Sequence, residues 1–190
     1  GSSLFVGGGF AHVGGQERLR LAAFDTGTGT LKDWNPGADD AVTSLLADGT
    51  RLYAGGAFSN IGGRPRTRIA AFDVATGAID DWSPGADGVV RTLAMSGPDI
   101  YLGGDFASVG GLPRPRLAAV STANGVCRPD WNPGPQNVVY SLATDGSKVY
   151  AGGAFQGIAG VGRNYFAALG AASLGDPPPP ITGPLALRNW

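Results

Sequence analysis

The sequence predicts an all-β chain, and within that class a β-propeller built from four-stranded antiparallel blades, on three observations. The 190 residues include 33 Gly and 14 Pro but one Met and a single Glu, Glu17, which is too rich in turn formers for a helix bundle and lacks the Gly-X-Y period of collagen. A short motif recurs four times, as Leu4-Phe5-Val6-Gly7-Gly8, Leu52-Tyr53-Ala54-Gly55-Gly56, Ile100-Tyr101-Leu102-Gly103-Gly104 and Val149-Tyr150-Ala151-Gly152-Gly153, at offsets of 48, 48 and 49 residues. Turn chemistry then divides each period into four apolar runs, and four strands in a period of about 40 to 50 residues is the pattern of a propeller blade. With 43% hydrophobic and 15% charged residues, the chain is expected to fold.

The first strand of a period is expected at 42–46, with counterparts at 90–94 and 139–143. Asp48-Gly49 and Asp145-Gly146 follow it and supply the positive-φ residues of a tight hairpin. The second strand, 52–58, carries the Gly-Gly pair, where missing side chains permit a bulge or a close approach of another strand. Recurring positions come next: Phe10, Phe58, Phe106 and Phe155; Val13, Ile61, Val109 and Ile158; then Arg18, Arg66, Arg114 and Arg163. The third strand is placed at 68–74, and Thr76-Gly77 turns into the fourth at 78–82. The first three copies close with Asp33-Trp34-Asn35-Pro36-Gly37, Asp81-Trp82-Ser83-Pro84-Gly85 and Asp130-Trp131-Asn132-Pro133-Gly134, where Pro ends the ladder.

The run Gly103-Gly104-Asp105-Phe106-Ala107-Ser108-Val109-Gly110-Gly111-Leu112-Pro113-Arg114, with Trp82-Ser83-Pro84-Gly85-Ala86-Asp87-Gly88-Val89-Val90, resembles the bacterial delta-sixty class of β-propeller repeats. The resemblance covers residues 1 to about 170. It implies a large secreted or cell-surface protein, and the family carries no single activity. The chain departs from the family in having Trp where Phe is commoner before Asn-Pro, and in Gly170, which replaces the acid found at Asp25 and Asp73.

The blades are expected to occupy 1–170, with repeats starting near 4, 52, 100 and 149. The opening Gly1-Ser2-Ser3-Leu4 aligns with Gly49-Thr50-Arg51-Leu52, which places the start inside a hairpin, without the innermost strand. Residues 171–190 hold four consecutive prolines. They read either as a linker or tail, or as an insertion followed by the last outer strand at 184–190. About four repeats imply a partial ring, or one assembled from further blades or a second chain, because blades bury their faces only against neighbours.

A net charge of −1 gives no footprint for nucleic acid, and no apolar run is long enough to span a membrane. The lone Cys127 cannot form an intramolecular disulfide and leaves the redox compartment open. The ligand-binding candidates are the recurrent Arg18, Arg66, Arg114 and Arg163, whose guanidinium forks suit acidic sugars or carboxylates, and Trp34, Trp82 and Trp131, whose rings suit sugar faces. Against this, a residue repeated in every blade fits a structural duty: pairing with Asp33, Asp81 or Asp130 for the arginines, plugging the gap between sheets for the tryptophans. No cofactor is expected. The Asp39-Asp40, Asp80-Asp81 and Asp87-Gly88 clusters invite Ca²⁺, but the loop with alternating acids is absent and Asp beside Gly or Pro is a good turn residue. His12, the only histidine, stands in a polar loop, and no catalytic residue is assigned. The expected function is a non-catalytic interaction scaffold of a secreted or surface bacterial protein, binding protein or glycan through its loops. The alternatives are a lectin-like carbohydrate-binding propeller and, behind it, a polysaccharide hydrolase or lyase.

Overall fold

A computed structural model describes residues 3–171 and shows an all-β chain, without helix among those residues. The expectation for 171–190, linker or last outer strand, lies outside the described residues except for Ala171. Copy 1 holds β1 (Ser3–Gly7), β2 (His12–Val13), β3 (Gln16–Glu17) and β4 (Leu21–Asp25). Copy 2 holds β5 (Val42–Ala47), β6 (Arg51–Gly56), β7 (Asn60–Ile61), β8 (Arg64–Pro65) and β9 (Ile69–Asp73). Copy 3 repeats this with β10 (Val90–Ser96), β11 (Asp99–Gly104), β12 (Ser108–Val109), β13 (Leu112–Pro113) and β14 (Leu117–Ser121). Copy 4 follows with β15 (Val139–Thr144), β16 (Lys148–Gly153), β17 (Gly157–Ile158), β18 (Val161–Gly162) and β19 (Phe166–Gly170).

Each of copies 2 to 4 forms an antiparallel three-stranded sheet, in the orders β5-β6-β9, β10-β11-β14 and β15-β16-β19, while copy 1 pairs β1 with β4. The two-residue strands form small ribbons that the sequence did not announce. In the first three copies the predicted fourth strand is reduced to one bridge, Phe24 with Leu31, Phe72 with Ile79 and Val120 with Cys127. Its physical reason lies just beyond the bridge. Asp73 N–H bonds to Ala78 O and Asp80 N–H to Ala71 O, and the chain then leaves its own sheet so that Trp82 can reach copy 3. Among the described residues the fold is a row of antiparallel sheets, and no closed ring is formed.

The two glycines of the recurrent pair have different duties. A Cβ at the first would stand 2.7 Å from Val90 Cγ1 in the case of Gly55, and 2.7 Å from Val139 Cγ1 in the case of Gly103, so the hollow it leaves receives a valine of the next copy. A Cβ at the second would strike a carbonyl of its own copy: Ala41 O at 2.2 Å from Gly56, Val89 O at 2.0 Å from Gly104 and Val138 O at 2.1 Å from Gly153. Those carbonyls sit where the ladder slips by one residue, between Val42 and Ser44, Val90 and Thr92, and Val139 and Ser141. The pair therefore admits a bulge on one side and a neighbouring sheet on the other.

The core consists of three clusters, and each lies between successive copies. Leu21 of copy 1 packs with Val42, Leu52, Phe58 and Phe72 of copy 2. Tyr53, Ile69 and Trp82 of copy 2 pack with Val90, Ile100, Phe106 and Val120 of copy 3. Tyr101, Leu117 and Trp131 of copy 3 pack with Val139, Val149, Phe155 and Leu169 of copy 4. Alternate residues of a strand point to opposite faces, so Leu52 looks back to copy 1 while Tyr53 looks forward to copy 3. This explains why the runs are apolar throughout rather than alternating.

Gly104→Ala is expected to lower unfolding free energy by about 2–3 kcal/mol, because the backbone of residues 89–91 lies against the new methyl and cannot yield to it. Gly162→Ala, where nothing lies within 4 Å, is expected to change it by less than about 1 kcal/mol. Urea unfolding followed by tryptophan fluorescence measures both.

Candidate functional site

The recurrent arginines sit after the small ribbons, where the chain returns to the third strand, and each forms a clamp on backbone carbonyls. Arg18 donates from Nη1 to Glu17 O at 2.8 Å and from Nη2 to Lys32 O at 2.9 Å. Arg66 donates to Pro65 O at 3.0 Å and Asp80 O at 2.9 Å. Arg114, only 6% exposed, donates to Pro113 O at 2.6 Å, Arg128 O at 3.1 Å and Pro129 O at 2.7 Å. Arg163 makes the local half of the clamp, to Gly162 O at 3.2 Å. The Nε–H groups of Arg18, Arg66 and Arg114 are buried without a hydrogen-bond partner, so the Nη atoms alone hold the segment that leads to each Trp. The carboxylates beside those tryptophans take little part: Asp81 lies 3.7 Å from Arg66 and closer, at 2.6 Å, to the exposed Arg64.

Trp34, Trp82 and Trp131 each reach into the next copy. Their indole N–H groups donate to Gly77 O at 2.9 Å, Ser121 O at 2.9 Å and Gly170 O at 3.0 Å. Edge-to-face contacts hold the rings, between Tyr53 and Trp82 at 5.1 Å, Tyr101 and Trp131 at 4.9 Å, and Trp34 with Phe5 at 5.2 Å and Phe72 at 5.5 Å. Trp82 and Trp131 are buried and Trp34 is half-buried. The structure thus brings each Arg and the segment carrying its Trp together within a copy, and does not bring the four copies of either residue to one shared pocket.

Two ion pairs and a related hydrogen bond were not anticipated from the sequence, although a signal existed. Residues 29 apart meet across the end of each sheet: Lys32 donates to Ser3 Oγ at 2.7 Å, Arg51 to Asp80 at 2.9 Å, and Arg128 to the buried Asp99 at 2.6 Å. Between copies 2 and 3 the signs are exchanged, acid for base at both positions. Arg51 also donates to Thr122 O of copy 3 at 2.8 Å.

The acidic clusters are engaged by donors of the protein. Asp39 accepts from the N–H groups of Ser59 and Asn60 and from Asn60 Nδ2, and the Asn60 side chain helps hold its carboxyl below the ordinary range. At the hairpin, the Tyr150 hydroxyl and the Ser147 and Lys148 N–H groups push Asp145 well below the carboxylate range. Among the described residues no three His, Cys, Asp or Glu side chains are grouped to hold a metal ion. His12 is exposed on β2, opposite Glu17. Cys127 is buried, and burial pushes its thiol pKa up, which disfavours the nucleophilic thiolate. An open groove of about 450 Å³ lies among Asp39, Asp40, Ala57, Ser59, Arg68 and Val89. Arg68 stands in it with φ of 67°, donating to Ala57 O and to Ser59 Oγ.

No family model matches the chain, and no curated protein matches it. Its fold is similar to the crystal structure of the computationally designed Ika4 protein, with a TM-score of 0.53 over 80% of this chain and 79% of that chain. The two are 17% identical, so the likeness concerns the fold alone.

Arg114→Met keeps the stem but leaves three partly buried carbonyls without their donor, and is expected to cost about 1–3 kcal/mol in urea unfolding. Arg64→Met, which removes an exposed pair with Asp81, is expected to cost less than about 1 kcal/mol.

Proposed function

We propose that the chain is a run of β-propeller blades of the delta-sixty class that serves as a non-catalytic interaction scaffold in a secreted or cell-surface bacterial protein. The observation that carries this reading is the use made of the repeated polar and aromatic groups. Trp34, Trp82 and Trp131 are each spent on a carbonyl of the next copy, and Arg18, Arg66 and Arg114 each fix the segment that delivers one of them. Such groups set the spacing of sheets; a ligand site would need them exposed and convergent. The blade reading is supported by four near-equal copies, by cores that lie between sheets, and by sheets buried on both faces. Ligands of such a scaffold are protein or glycan, met by the loops at the sheet ends, and its structural partners are further blades or a second chain.

Calorimetric titration of the wild type with neutral and acidic oligosaccharides tests this against a lectin-like role. The scaffold reading predicts no heat of binding that depends on Arg66, Trp34 or Trp82. Saturable binding that disappears in a folded Trp34→Ala variant would replace it with a carbohydrate-binding function.

A further inference from the structure

The open groove beside Arg68 carries polar groups that the repeat does not require. It lies past the end of β6, and its walls come from three stretches of chain. Asp39 and Asp40 belong to the segment that joins copy 1 to copy 2, Ala57, Ser59 and Arg68 to copy 2, and Val89 to the segment that leads into β10. Its volume of about 450 Å³ is in the range of small-molecule sites. Asp39 and Arg68 have counterparts in the repeat: Asp87 for the first, and Arg20 and Arg116, at the same positive φ, for the second. Asp40 and Ser59 have none. Gly88 and Asn137 stand at the place of Asp40, and Ala11, Ala107 and Gln156 at the place of Ser59. Residues that repeat serve the stacking of sheets; these two break the repeat, and they meet in one groove.

Copy 3 fills the corresponding place with its own groups. A Cβ on Gly88 would lie 2.7 Å from Phe106 Cα, so the joining segment there packs on the turn without room for a side chain. Asp105, in the place of Ala57, is paired at 2.6 Å with Arg91. In copy 2 the polar groups are held in position but not used up. Arg68 donates from Nη1 to Ala57 O and Ser59 Oγ, which leaves Nη2 without a protein partner. Ser59 accepts that bond and keeps its hydroxyl proton to donate. Asp40 takes the Ala41 N–H on Oδ1 at 2.6 Å and has Oδ2 free. Asp39 is spent on Ser59 and Asn60 and fixes the rim. Groups ordered in advance in this way cost a ligand little entropy.

We infer that this groove binds a neutral saccharide, whose hydroxyls donate to Asp40 Oδ2 and accept from Arg68 Nη2 and the Ser59 hydroxyl. The charge of the walls selects the class. Two carboxylates stand against one guanidinium, so an anion drawn to Arg68 is opposed by Asp39 and Asp40, and an ammonium group drawn to Asp40 is opposed by Arg68. Sugar hydroxyls both donate and accept, which matches a site that offers free groups of both kinds. Ala57 and Val89, half-buried, supply apolar carbon for the C–H face of a ring. A protein partner would call for an aromatic or large aliphatic anchor, and no such side chain lines the groove. The inference rests on the scaffold reading and deepens it, by giving the loops of copy 2 a ligand class and the residues that meet it.

Proton–nitrogen correlation spectra of the 190-residue chain, titrated with the methyl glycosides of glucose, galactose, mannose and N-acetylglucosamine, test this. The methyl glycoside of glucuronic acid and an acetylated, amidated glycine tripeptide serve as the anionic and peptide comparisons. At least one neutral glycoside is expected to shift the amides of Asp40, Ala41, Ser59 and Arg68 saturably, with a Kd on the order of millimolar. Asp40→Gly and Ser59→Ala install the residues that copy 3 carries at these places, Gly88 and Ala107, so the repeat accommodates both. Asp40→Gly is expected to weaken binding about tenfold or more, and Ser59→Ala by a smaller factor. The inference is overturned if no neutral glycoside shifts those amides, if the glucuronide binds more tightly than its neutral counterparts, or if Asp40→Gly leaves the titration unchanged. Shifts produced by the tripeptide alone also overturn it, in favour of a peptide site. None of these results touches the scaffold reading, which fails instead if glycoside binding disappears in a folded Trp34→Ala variant.

Discussion

The structure depends on one contact, the face-to-face burial of each sheet against the next. A three-stranded sheet with two apolar faces can bury them only against neighbours on each side, and each fully buried large apolar side chain contributes about 1.5–3 kcal/mol. The Gly-Gly pair makes that contact close enough to be useful. Its first glycine lets Val90 or Val139 of the following copy settle onto the backbone of the preceding one, and its second lets the first strand bulge. The Trp that ends each of the first three copies then locks the arrangement from the outer side, with its indole N–H on the next copy's carbonyl.

Much of this was legible because the repeat prints the same physics four times. The spacing of the Gly-Gly motif located the second strand of every copy, Asp48-Gly49 and Asp145-Gly146 marked hairpins whose glycines have φ of 96° and 92°, and uniformly apolar third strands pointed to burial on two sides. The fourth strand was overestimated, since a segment at 78–82 bounded by Thr76-Gly77 and Pro84-Gly85 reads the same whether it stays on its sheet or departs after one bridge to reach a neighbour. The short ribbons were missed because two-residue strands carry no periodicity. The arginines were legible as recurrent but not in their partners: a carbonyl leaves no mark in a sequence, whereas the acids beside Trp did and drew attention away from it. The exchanged pair Arg51–Asp80 and Asp99–Arg128 was readable in principle, as a compensating change at a constant separation of 29 residues.

Positions that keep the repeat and positions that break it divide the labour. Arg18, Arg66, Arg114, Trp34, Trp82 and Trp131 keep it, and are consumed in holding sheets together. Tyr140, Tyr165 and Phe166 occupy places where the internal copies have other residues or buried ones, and they stand exposed on copy 4. A scaffold of this construction presents its individuality at its ends and along its loops, while its middle is fixed by the requirements of stacking.

The central claim is that stability belongs to the contacts between copies rather than to the sheets one at a time. Residue-resolved amide hydrogen exchange on Val90→Ala tests it most directly, because Val90 lies in copy 3 and its Cγ1 faces Gly55 of copy 2. The account predicts that protection falls together in β6 and β9 of copy 2 and in β10 and β11 of copy 3. Loss confined to β10 and β11, with copy 2 as protected as in the wild type, would contradict it.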